Sequence, residues 1–136
     1  MNAPPPTLPI RTECPPGACV CDRDALLQDP QADARVLLLT REEEKCLLQR
    51  LEQITSLADL RRLQDRMEQQ LGIRLTIAPG PNEVRTLRGI TILVHEQRGL
   101  CRKTRQSIPA AIRQALERRP EISYELLDEG GPFGRQ

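Results

Sequence analysis

The chain has 136 residues, a length that suits one domain burying roughly two thirds of the surface its unfolded chain would expose. With no Trp, one Phe (Phe133) and one Tyr (Tyr124), its interior must be filled by Leu, Ile, Val and Ala, which favours helices on a small sheet over a β-sandwich. Its 20 basic and 19 acidic side chains nearly cancel, so net charge points to no partner, and no apolar run approaches the ~20 residues of a membrane span.

Residues 1–13 hold Pro4, Pro5, Pro6 and Pro9 and read as a flexible, extended tail. They lack the basic-then-apolar order of a secretory signal, so a cytoplasmic protein is expected. A cysteine loop, 14–21, opens a single domain that runs to residue 129. Asp22 can cap a short helix through about Gln28, which Pro30 ends. Val36 to Leu39 is an apolar run that fits either a buried strand or a tight connector.

Two helices follow. Thr40 to Glu43 is a capping-box pattern, and Leu47, Leu51 and Ile54 form one apolar stripe. Ser56 to Asp59 repeats the capping pattern. Leu60, Leu63, Met67 and Leu71 form the second stripe, and Gly72 stands where a C-cap glycine belongs. The short connection between them predicts an antiparallel helical hairpin.

After Gly72 the period changes from 3.6 to 2. Ile73, Leu75 and Ile77 alternate with Arg74 and Thr76. Pro79 to Asn82 is a turn. Val84 to Leu87 and Ile90 to His95 read as further strand, with Ile90, Ile92 and Val94 facing one way. A basic loop from Arg98 to Arg105 leads to a third helix. Ser107 is its expected cap, with Pro109 in its first turn, Ile108, Ile112 and Ala115 on its buried face, and Pro120 at its end. Residues 121–127 fit strand or helix equally, and 130–136 read as a flexible tail. The expected fold class is α+β: a helical hairpin, a small antiparallel sheet and a third helix.

The strongest chemical feature is Cys14-Pro-Pro-Gly-Ala-Cys19-Val-Cys21. Pro15, Pro16 and Gly17 keep this loop from helix, so it can turn several sulfurs toward one centre. In a reducing compartment such a cluster points to metal or redox chemistry rather than a disulfide framework. It resembles the cluster loop of plant-type ferredoxins, which runs Cys-x4-Cys-x2-Cys with glycine and alanine before the second cysteine. The likeness covers eight residues, the last spacing here is one shorter, and the loop precedes any sheet. The resemblance therefore implies a cluster at Cys14, Cys19 and Cys21, not the ferredoxin fold. The expected cofactor is an iron–sulfur cluster of the 2Fe–2S kind, or zinc.

A closed site needs a fourth ligand. Cys101, among Arg98, Arg102 and Lys103, is the first choice. Cys46, at the edge of a buried helical stripe, is the second, and His95, the only histidine, is a further candidate. Residues 85–119 carry nine basic side chains against two acidic ones. This supports an alternative, a nucleic-acid-binding regulator using Arg98, Arg102, Lys103, Arg105 and Arg113. Ala111-Ile-Arg-Gln-Ala-Leu116 and the residues after it are faintly similar to the recognition helix of lactose-repressor-type regulators. No glycine-rich phosphate loop and no Gly-x-Ser-x-Gly is present, so a binding protein is expected rather than an enzyme. The leading expectation is a metal- or iron–sulfur-binding accessory or redox-sensing protein with a protein partner. A purely structural interaction module is a third reading.

Overall fold

A helix must satisfy the orphan amides of its first turn, and Thr40 and Ser56 supply side-chain oxygens for two of the helices. The structure, a computed structural model, describes residues 10–11, 21–79 and 89–129. In chain order it contains α1 (Arg23–Gln28), a 3-10 turn (Arg35–Leu38), α2 (Arg41–Glu52), α3 (Leu57–Leu71), β1 (Leu75–Pro79), β2 (Ile90–Val94), α4 (Arg102–Arg118) and α5 (Pro120–Glu129). Five helices and a two-stranded antiparallel sheet make the fold α+β, as expected.

The caps expected at Thr40 and Ser56 form, whereas Asp22, at φ 59°, precedes α1 without a side-chain cap bond. Thr40 Oγ1 accepts from the Glu43 amide at 3.2 Å, and Ser56 Oγ from the Asp59 amide at 3.0 Å. Gly72 closes α3 at φ +70°, its amide donating to the Glu68 carbonyl at 3.0 Å in the single bond of a left-handed helix end, and the Ile73 amide donates to the Met67 carbonyl at 3.2 Å. Arg35 reaches the same end and donates to the Gln69 carbonyl at 2.6 Å.

The hairpin is clamped where it turns. Arg50, late in α2, forms a two-pronged pair with Asp59, in the first turn of α3, at 3.0 and 2.5 Å. The Thr55 amide donates to the same carboxylate at 3.1 Å. These bonds, with the Arg50 pair dominant, hold the Asp59 carboxyl below its ordinary range. Beyond the clamp the arms splay. A groove of about 500 Å³ runs between them, with Leu47, Leu63, Met67 and Leu71 among its walls. The main packing partner of α2 is α4.

The strands pair Leu75 with Val94, Ile77 with Ile92 and Pro79 with Ile90. Directly opposed residues share a face, so Leu75, Ile77, Ile90, Ile92 and Val94 form one buried apolar surface. The other face carries Thr76, Thr91 and the exposed Leu93. α4 packs on β2 and α5 on β1. Buried residues of every element join one aliphatic cluster, and Tyr124 stays on the surface. Pro79, expected to open a turn, is instead the last residue of β1; the rest of that turn, the expected strand over Val84–Leu87 and the 130–136 tail lie outside the described residues.

Two readings left open are resolved, and one expectation is corrected. The apolar run at Val36 is a 3-10 turn, with Val36 and Leu37 buried. Residues 120–129 are helical. Pro120 ends α4 but starts α5, where its fixed φ suits a first position, and Ile122, Leu126 and Leu127 bury one face. The 98–105 segment is not all loop, because α4 begins at Arg102 with Cys101 as N-cap. Pro109 therefore lies well inside the helix, and Ser107 is no cap. Its Oγ donates back to the Lys103 carbonyl at 2.8 Å.

Candidate metal centre

Of the four expected ligands, Cys14 and Cys19 lie outside the described residues. Cys21 and Cys101 are both described and both partly exposed. They belong to segments 80 positions apart that the fold brings together. The Gly99 amide donates to the Cys21 carbonyl at 2.6 Å, and Cys101 follows two residues later.

Glycine is required for this approach. Gly99 stands at φ +83°, and a Cβ there would meet Leu26 Cδ2 at 2.5 Å and Val36 Cγ1 at 2.8 Å. The turn thus lies flat on the core formed by α1 and the 3-10 turn. Arg98, beside it, pairs with Asp29 at 3.3 Å and ties the turn to the end of α1.

Arg11 completes the surroundings of Cys21. The expected tail includes this residue, yet Arg11 is 7% exposed. Its amide donates to the Leu37 carbonyl at 2.7 Å, and its carbonyl accepts from Arg23 Nε at 2.7 Å. Its Nη2 donates to Cys21 Sγ at 3.3 Å, while its Nε is buried without a partner. Sequence reasoning missed this residue, since nothing in a proline-rich segment marks one arginine as buried.

Cys101 occupies the N-cap of α4, where backbone amides and the helix dipole favour negative charge. The first turn holds no acidic residue; Arg102 and Lys103 stand there instead.

The other candidates lie elsewhere. Cys46 is exposed on α2 and lines the α2–α3 groove, so it is neither a core residue nor beside the Cys21–Gly99 contact. His95 Nε2 is 2.7 Å from Thr76 Oγ1 on the sheet's outer face. Among the described residues no group of three or more His, Cys, Asp or Glu side chains is placed to hold a metal ion.

Of the basic residues of the alternative reading, Arg102 and Lys103 are exposed at the start of α4. Arg98 is paired with Asp29, Arg105 with Glu96 at 3.2 Å, and Arg113 donates to the Ile90 carbonyl at 3.3 Å. Among the described residues no helix is long and apolar enough to cross a membrane. The fold and site define an α+β protein with cysteines at a loop–helix junction. Comparison with known protein families, with curated proteins and with solved structures finds no match.

Proposed function

We propose that the chain is a small metal- or iron–sulfur-binding protein, with an accessory or redox-sensing role toward a protein partner. Its ligands in this reading are Cys14, Cys19, Cys21 and Cys101. The observation that carries it is the 2.6 Å Gly99–Cys21 bond, which seats the end of the cysteine loop on the turn that holds Cys101. That contact supports the choice of Cys101 over Cys46 as the fourth ligand. The Arg11 guanidinium on the sulfur of Cys21 also suits a thiolate centre, because hydrogen bonds to sulfur tune its charge and potential. The nucleic-acid reading draws less support, since three of its five cations already serve internal partners.

The test compares metal content in two variants. Cys101→Ser releases the metal in this reading, while Cys46→Ser keeps it. Retention by Cys101→Ser with loss from Cys46→Ser would overturn the assignment.

A further inference from the structure

Two charged side chains are buried among the described residues, Asp59 and Arg11. Asp59 has its counter-charge in Arg50. Arg11 is 7% exposed, and no carboxylate among the described residues pairs with it. Its Nη2 donates to Cys21 Sγ at 3.3 Å, and its Nε is buried with no acceptor. These two nitrogens share one edge of the planar guanidinium, and their N–H bonds run parallel, as a fork that matches two acceptor atoms of one group. Here one prong meets a sulfur and the other meets nothing. A buried donor without an acceptor is destabilising. An oxygen carried by Cys21 Sγ would supply the acceptor on that same edge.

We propose that Cys21 is an oxidation site at which a peroxide converts the thiol to a sulfenic acid held by the Arg11 fork. The sulfur lone pair attacks one peroxide oxygen, so an S–O bond forms as the O–O bond breaks. The thiol proton goes to the departing oxygen, which leaves as water or an alcohol. Sulfur is oxidised by two electrons and the peroxide is reduced by two. The new oxygen accepts from Nε, and Nη2 keeps its bond to the sulfur. Cys21 is partly exposed, so a small peroxide can reach it, whereas the fork is buried. Arg11 is fixed through its main chain, by its amide on the Leu37 carbonyl and by Arg23 Nε on its own carbonyl. Cys46 is exposed in the α2–α3 groove and has no such fork. The proposal uses described residues alone and needs no metal. Metal content is a separate readout, so either reading can fail without the other.

The test uses the full chain, reduced and stripped of metal with a chelator. Cys14→Ser, Cys19→Ser and Cys101→Ser together remove the thiols that could consume a sulfenic acid, and leave Cys46 as internal reference. After brief exposure to hydrogen peroxide the surviving sulfenic acid is trapped with dimedone and mapped by peptide mass. Cys21 is expected to carry about ten times the label of Cys46, the worth of one charge-assisted hydrogen bond. Adding Arg11→Gln is expected to erase that excess and leave Cys46 labelling unchanged. With Arg11 intact, its Nε–H resonance is expected to shift and its exchange to slow on oxidation, a readout that does not depend on the Gln variant folding. Equal label at Cys21 and Cys46, an excess that survives Arg11→Gln, or an Nε–H resonance indifferent to oxidation of Cys21 would each overturn the proposal.

Discussion

The amide of Gly99 donates to the carbonyl of Cys21 at 2.6 Å, from a residue held at φ +83° against the side chains of Leu26 and Val36. One glycine thus joins the core to the cysteine segment. Gly99→Ala is expected to cost about 2–3 kcal/mol, from left-handed strain and the clash with Leu26 and Val36. Urea denaturation checks it. A loss below half a kcal/mol, as for an ordinary surface change, would mean that the turn does not need its glycine.

Asp59 makes the hairpin clamp pH-dependent. Its folded carboxyl lies below the ordinary 3.8, chiefly through Arg50. A depressed carboxyl adds stability that is fully present above its unfolded pKa. That contribution fades as pH falls through the folded value. Asp59→Asn is therefore expected to destabilise the chain by about 1–3 kcal/mol at neutral pH, where the charged pair with Arg50 is lost. The gap between wild type and variant should narrow below about pH 4. Urea midpoints measured across that range test the sign; a gap that widens in acid would contradict it.

Pro109 sits inside α4, where it cannot donate to the Arg105 carbonyl. Pro109→Ala restores that donor and relieves the ring's clash with the preceding turn. It is expected to stabilise the chain by about 1–2 kcal/mol, less than the full interior penalty because the unfolded chain also gains freedom. Thermal melting reads the effect, and a lowered midpoint would show that the helix needs its proline.

Ile112 is fully buried on α4, the helix that packs against both α2 and β2. Truncation to alanine leaves a cavity at that junction and is expected to cost about 2–5 kcal/mol. Chemical denaturation checks it, and a loss under 1 kcal/mol would place the centre of the core elsewhere.

The helices with side-chain caps were legible because their signals are local. Thr40, Ser56 and Gly72 each mark an end by their own chemistry, and the alternation from Ile90 to Val94 marks a half-buried strand. The start of α4 was hidden by a conflict of signals. Cys101 caps it without a side-chain bond and basic residues fill its first turn, while Ser107 and Pro109 imitate a start further on. α5 was obscured because Pro120 serves two helices at once, as stop and as start. In the candidate site, the choice of Cys101 over Cys46 followed from local charge. The burial of Arg11 and the contact between Gly99 and Cys21 depend on tertiary placement, which no spacing encodes.

The central claim is that the cysteine segment and the Gly99–Cys101 turn hold a metal. Elemental analysis of protein purified fresh and without oxygen tests it most directly. The account predicts stoichiometric iron with visible absorption, or stoichiometric zinc in a colourless sample. Protein that carries neither metal, and takes up neither when reduced and resupplied, would contradict it.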